Sequence, residues 1–445
     1  MTRQMHMVNS FDPTASESLA PEDRALLERR QRVLGAPYRL FYREPVHLVR
    51  SEGVLLYDRN GLDYLDAYNN VPVVGHSNPR VQERVAQQLS VLNTHTRYLT
   101  DDVVDYAERL LALFPPHLEQ VVFACTGSEA VDLALRIAGH TTGRTGIIAT
   151  AHAYHGTTQA AAAVSPSLGT NNPIPDNVVL VEAPDTLRHD PATTAREFAA
   201  RITRGIDELR RRGHQPAAAI VDSILSSDGL QTDPPGMLGP AAEVVRDAGA
   251  LWIADEVQSG FGRTGGWWGF ERHALRPDLV VLGKPMGNGI PISAVVGRAD
   301  LMEAFGRDVR YFNTFGGNPV SIAAASAVLD EITGLDLLHN ATTTGAEAAL
   351  GMSGAAAGDP GIADVRHAGL FIAVELVRDP ETLAPDAARA AAIVDAMRQR
   401  RVLISASGRY DNVLKVRPPL TLSSNELPRL LEAFDESVRV TRTSP

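Results

Sequence analysis

The chain has 445 residues, 44% of them hydrophobic and 21% charged, a balance that supports a large soluble core and excludes fibrous or low-complexity architectures. Its formal net charge of -11 argues against a protein that works by neutralising nucleic-acid phosphates, and its single cysteine, Cys125, rules out an intramolecular disulfide framework or a thiolate metal cluster. No run of about 18 apolar residues marks a membrane span and no apolar signal core follows Met1, so a soluble, reducing, cytoplasmic setting is expected.

In chain order, residues 1–20 are polar and mixed and read as an arm. From Pro21 to Leu34 the acids come first and the arginines later, the charge order that a helix dipole favours. Residues 46–57 read as strand, turn, strand, and Asp58-Arg59-Asn60-Gly61 supplies a further hairpin turn. Short apolar runs then follow at 121–125, 146–150, 178–181, 218–222, 251–255, 279–283 and 293–297. Several lack alternation, as strands buried on both faces should, and helical stretches such as 129–138 and 241–247 separate them. This predicts an α/β fold with a mostly parallel sheet. Beyond Leu335 an Ala- and Gly-rich stretch at 346–358 precedes a strand at 369–377, a helix at 384–401, a strand at 413–416 and a helix at 425–440, which read as a smaller α+β domain.

Of the 42 lysines and arginines, only Lys284 and Lys415 are lysine. Arginine does not readily give up its proton, so any chemistry needing a titratable side-chain amine has these two candidates. Lys284 directly follows an apolar run, inside the Gly-rich turn Gly283-Lys284-Pro285-Met286-Gly287. Strand ends of α/β sheets open onto ligand crevices, and partial desolvation there makes an amine nucleophilic. Asp255 ends another apolar run and needs a cationic partner, such as a protonated pyridine nitrogen. Thr126-Gly127-Ser128-Glu129 forms a small-residue turn before a helix, where free N–H groups favour a phosphate. Tyr154, beside His155 and Gly156, offers an aromatic face to a flat ring. Taken singly, these are also a snorkelling lysine, a turn-capping Asp, an ordinary strand–helix turn and a packing aromatic. Together they match the surroundings of pyridoxal phosphate, for which a protein supplies a lysine, a carboxylate and orientation.

At these residues the sequence resembles the class III aminotransferases, a family of fold-type I pyridoxal-phosphate enzymes. The resemblance runs from about residue 38 to the C-terminus. It is carried by Tyr64-Leu65-Asp66, Gly75-His76, Thr126 to Ala130, Tyr154-His155-Gly156, Asp255 to Arg263, Gly283-Lys284 and Thr314 to Pro319. It implies a large domain with a seven-stranded, mostly parallel sheet at 76–334, a smaller α+β domain at 335–445, and an N-terminal arm with part of the small domain at 1–75. It implies that Lys284 holds the cofactor and shuttles a proton, that Asp255 pairs with the ring nitrogen and that Gln258 lies near the ring hydroxyl. Gly127 and Ser128 would hold the cofactor phosphate, and Tyr154 would stack on the ring. His155 and Asp222 join these cofactor residues on the same ground. Thr314 would reach the neighbouring subunit's cofactor, which implies a homodimer with shared active sites, and a tetramer as the larger assembly.

A narrower resemblance, to the phospho-lyase subgroup typified by ethanolamine-phosphate phospho-lyase, rests on Asn69-Asn70-Val71, Val91 to Leu99, Val104 to Ala107 and Leu414 to Pro419. Many family transaminases carry Glu-Pro at Asp222-Ser223 and Arg at Lys415. The implied reaction eliminates phosphate from a phosphorylated amine, O-phosphoethanolamine first, with phosphohydroxylysine or an aminophosphonate as further candidates. An ω-amine:keto-acid transaminase is the alternative, and an intact Lys284 and Asp255 argue against a non-catalytic cofactor binder. The substrate phosphate needs a cation. Arg409 ranks first, because its spacing before Pro418-Pro419 resembles that of the mobile substrate-binding arginine of related transaminases, with Lys415, Arg417, Arg43 and Arg97 as further candidates.

Overall fold

The apolar runs assemble into one sheet. Its order is Gln120–Ala124, Ser293–Gly297, Leu279–Leu282, Leu251–Asp255, Pro216–Asp222, Gly146–Thr150 and Val178–Val181. Ser293–Gly297 runs antiparallel to both neighbours and every other pairing is parallel. This computed structural model describes residues 9–442.

Unbroken apolar strands follow from cover on both faces. Ile147, Ala149, Ile220, Ile253 and Val281 pack with Ala130, Val131, Ala134 and Ile137 of the Gly127–Thr142 helix. Their neighbours Ile148, Ala219, Val221, Trp252 and Val280 join the larger core with Phe198, Ile202, Leu238 and Val245 from the opposite layer. Alternate residues of a strand thus serve opposite layers.

The first helix runs Pro21–Leu34 as the sequence predicts, and the early hairpins are present as Leu48–Glu52, Leu55–Asp58 and Asp63–Asp66. Val402–Leu403 joins that sheet parallel to Asp63–Asp66, tying the two ends of the chain together. The predicted arm divides. Residues 1–8 lie outside the described residues, whereas Phe11 is buried, Ser10 bridges Phe41 and Pro13–Ser18 is a short 3-10 helix.

Three C-terminal expectations shift. The Ala- and Gly-rich stretch lies largely within the Leu337–Ala356 helix. The helix expected from 384 starts at Ala387, because Asp386 caps it and Ala384–Pro385 pairs with Phe371–Asp379. A strand that sequence reading missed, Ile362–Ala368, flanks Phe371–Asp379, which also pairs with Val413–Val416.

One arginine links these parts. Arg263 is fully buried, and burial pushes its guanidinium down to about 9. It donates to Asn70 Oδ1 at 3.0 Å, Leu370 O at 2.8 Å and Pro418 O at 2.5 Å, and so fixes the 417–420 segment against the sheet. Among the described residues no helix is long and apolar enough to cross a membrane.

Candidate active site

The carboxyl ends of the parallel strands meet at one edge of the sheet, where α/β folds bind ligands. Asp222 and Asp255 end adjacent strands and are register partners, and Lys284 follows Leu282 on the next strand by way of Gly283. They line a cavity of about 180 Å³ together with Gly127, Ser128, Tyr154, His155, Gly156, Val257 and Gln258. Every expected cofactor residue except Thr314 is therefore gathered at one place. Thr314 is exposed on the loop before Pro319, outside this cavity.

Each wall has a local cause. Thr126 caps the Gly127–Thr142 helix in a reciprocal pair with Glu129. That pairing occupies the N–H groups of Cys125, Thr126 and Glu129 and leaves those of Gly127 and Ser128 without an acceptor among the described residues. Asp255, 5% exposed, accepts from Val257 N at 3.0 Å, and its other oxygen lies 2.6 Å from His155 Nδ1. The His155 backbone N–H is pinned to Ser165 Oγ at 2.8 Å, while Nε2 is buried without a partner among the described residues. Tyr154 lies across the cavity from the lysine, its ring centre 6.0 Å from Lys284 Nζ.

Gly156, at φ +142°, is required by close approach: a Cβ there would lie 2.4 Å from Ser128 Oγ. Gly156→Ala is expected to push Ser128 out of place and weaken cofactor binding by about tenfold or more, the scale of a one-to-two kcal/mol overpacking penalty. Titration of apo-protein with pyridoxal phosphate checks this; unchanged affinity contradicts the assignment of Ser128.

Electrostatics tune the amine. Burial, helped by Arg417, holds the Lys284 amine below the usual lysine range, against the pull of Asp255 and Asp222. Burial first, and then the neighbouring Asp255, raises the Asp222 carboxyl. Asp228, behind this wall, is pushed up to about 7 by burial, although Thr150 Oγ1 donates to it at 2.7 Å. A lysine so lowered gives up its proton more readily, and the free amine is the form that captures a carbonyl.

The basic candidates separate. Arg43 is exposed and paired with Asp395 at 2.9 Å. Arg97 is exposed, its guanidinium 3.7 Å over the Phe312 ring. Arg409, ranked first from its spacing, lies in a neighbouring cavity of about 370 Å³ and pairs with Glu182. Arg417 and Lys415 are buried and electrostatically coupled to Lys284. Arg417 donates to Tyr68 O at 2.8 Å and to Gln258 Oε1. Gln258 Nε2 in turn donates to Ser226 Oγ at 2.6 Å, and Ser226 donates to Asp222. A hydrogen-bonded chain therefore runs from Asp222 through Ser226 and Gln258 to Arg417.

Sequence reading did not single out Val257, Gly156, Ser226 or Asp228. The first two stand inside the motifs already quoted. Ser226 and Asp228 lie in the turn that follows the buried Pro216–Asp222 strand, and a carboxylate just past such a strand was a signal available in the sequence.

The donors present suit pyridoxal phosphate: two open N–H groups at a helix start, a buried carboxylate, an amine and an aromatic face around one cavity. Fold and site define a fold-type I pyridoxal-phosphate enzyme. The family model for aminotransferase class-III matches residues 41–438. Over 437 residues the chain is 38% identical to "Alanine--glyoxylate aminotransferase 2-like" of Drosophila melanogaster, covering 95% of this chain and 88% of that protein. It is 33% identical over 432 residues to "Ethanolamine-phosphate phospho-lyase homolog 1" of Caenorhabditis elegans, covering 92% of each. Among solved structures, a phospholyase from Arthrobacter in complex with phosphoethanolamine superposes with a TM-score of 0.90 at 41% identity, covering 94% of this chain and 100% of that one. The chain belongs to the class III aminotransferase family and depends on pyridoxal phosphate.

Proposed function

We propose that this enzyme is a phospho-lyase that eliminates phosphate from a small phosphorylated amine, with O-phosphoethanolamine as substrate and acetaldehyde, ammonia and phosphate as products. The observation that carries this reading is the pair of buried basic groups that act electrostatically on Lys284 and on each other. Lys415 and Arg417 lie behind the residues that line the cavity, and the Lys415 amine makes no ion pair among the described residues. A phosphate dianion would supply the anion that this pair lacks. The names of the Caenorhabditis and Arthrobacter relatives support it.

When bound, pyridoxal phosphate supplies a conjugated ring that accepts the electron pair left when a proton leaves carbon. The chain's own residues do the rest. Gly127 and Ser128 bind the cofactor phosphate at the helix start, and Tyr154 and Val257 enclose the ring. Asp255, oriented by His155, keeps a proton on the ring nitrogen. Lys284 holds the aldehyde, then removes the proton from the substrate carbon bearing nitrogen. Arg417 and Lys415 hold the substrate phosphate on the adjacent carbon. This ranks them above Arg409, whose charge is met by Glu182.

The same reading includes a homodimer. Leu89, Val91, Leu99 and Phe315 are 60%, 75%, 102% and 69% exposed, and they stand on the Pro79–Val91 helix and two loops that touch where the His95 and Phe312 rings lie 5.6 Å apart. An apolar patch of this kind marks an interaction surface. Thr314 lies on the same loop as Phe315 and is the residue proposed to complete the partner's cofactor site.

The second reading, an aminotransferase, is favoured by the Drosophila relative's name, since a carboxylate also satisfies Lys415 and Arg417. A phosphate-release assay across phosphoethanolamine, phosphohydroxylysine and unphosphorylated amines separates the two. Sustained release from a phosphorylated amine is expected. Amine consumption that needs a keto acid and frees no phosphate favours the aminotransferase.

A further inference from the structure

Lys415 lies on the Val413–Val416 strand, between Ala373 and Ser405 of its neighbours, and is 7% exposed. A buried polar group is ordinarily hydrogen-bonded, and a buried charge is ordinarily paired. Among the described residues the Lys415 amine has neither a hydrogen bond nor an ion pair, only the Phe371 ring at 5.5 Å. The charged groups around it are Arg417 past the end of its own strand, Lys284 from the loop after Leu279–Leu282, and Asp222 and Asp228 from the segment ending Pro216–Asp222. His152, near Arg409, is the further titratable neighbour. Burial, with Arg417, holds the amine well below the ordinary lysine range, and Asp222 and Asp228 offset this only in part. An anion placed beside the amine shifts this balance toward the protonated form.

The proposed reaction brings such an anion and needs such a proton. A phosphomonoester has its second pKa at about 6 and is mostly a dianion at neutral pH. Breaking its carbon–oxygen bond expels a phosphate trianion, a poor leaving group, unless a proton reaches the bridging oxygen. Arg417 cannot give one, because a guanidinium keeps its proton. Asp222 is engaged in accepting from Ile224 N and Ser226.

We infer that Lys415 is the general acid of the elimination: it takes up a proton as the substrate phosphate enters beside it and Arg417, and delivers that proton to the departing oxygen. The inference rests on the phospho-lyase reading. The step balances. The carbon–hydrogen bond breaks and its proton passes to Lys284, and the pair left behind becomes the carbon–carbon double bond. The carbon–oxygen bond breaks, its pair leaves on the phosphate oxygen, and that oxygen takes the Lys415 proton. Water then converts the enamine to acetaldehyde and ammonia.

Calorimetric titration of the holoenzyme with inorganic phosphate, in buffers of differing ionisation enthalpy, counts protons bound. At about pH 8, where phosphate is mostly a dianion, wild type is expected to take up protons as phosphate binds. Lys415→Arg keeps a charge that does not titrate, so it should bind phosphate within about threefold of wild type yet take up no proton. Its phosphate release from phosphoethanolamine should fall by about 10²-fold or more, the scale of a lost general acid. Lys415→Met should lose phosphate affinity by about tenfold as well, with the visible absorbance of the bound cofactor reporting that the site is still built. Wild type that takes up no proton, or Lys415→Arg that turns over within about threefold of wild type, overturns the inference alone. Wild type that frees no phosphate from any phosphorylated amine overturns the phospho-lyase reading, and the inference with it.

Discussion

Lys284→Ala is expected to lose the visible absorbance of lysine-held pyridoxal and to reduce turnover by about 10⁴-fold or more, since one amine both captures the aldehyde and moves the substrate proton. Lys415, the only other lysine, lies on a different element and faces the substrate phosphate in the proposed arrangement, so it does not stand in. The truncation should leave the fold intact. The Lys284 amine makes no hydrogen bond or ion pair among the described residues, and the Tyr154 ring centre lies 6.0 Å from it. Absorbance of the purified variant and a phosphate-release assay check both effects together. Retained turnover in a folded variant contradicts the assignment of Lys284.

Asp255→Asn is expected to be the next most damaging change. The change keeps the shape of a side chain that is 5% exposed and removes its charge. His155 Nδ1, now 2.6 Å from a carboxylate oxygen, would face an amide. A ring nitrogen would lose the partner that keeps it protonated. Removing one member of a buried charged pair costs about 3 kcal/mol or more, roughly two powers of ten in rate. Steady-state kinetics should show the loss mainly in kcat, with cofactor affinity falling less. A variant within about threefold of wild-type kcat would mean that Asp255 does not bear on the electron-accepting ring.

Much of the sheet was legible in the sequence because its strands are covered on both faces. Runs such as 146–150 and 251–255 carry no solvent-facing residue to blur them. The residues gathered at the cavity were legible for a related reason: a polar side chain at the end of an apolar run has few other uses. Ile362–Ala368 was missed because Asp364 and Arg366 interrupt its apolar pattern. The fold absorbs those charges locally, with Arg366 bonded to Asp364 and Glu375 at 2.8 Å each and to Leu230 O at 2.7 Å. The structure sets the basic residues apart in a way that sequence spacing does not carry. Arg409 and Arg417 are close in sequence and both precede or flank Pro418-Pro419, yet one is held at the rim by Glu182 and the other is drawn inward by Tyr68 and Gln258. Those partners come from segments far away in the chain, so only tertiary packing distinguishes the two arginines.

The central claim is that the electron pair left on the substrate carbon when Lys284 takes its proton expels phosphate instead of being passed to a keto acid. Holoenzyme mixed with excess phosphoethanolamine and no keto acid tests it directly. The account predicts phosphate and acetaldehyde in equal amounts, both rising far beyond the number of active sites while the cofactor stays in its aldehyde form. Conversion of the cofactor to its amine form, one per site, with no phosphate set free, would contradict it.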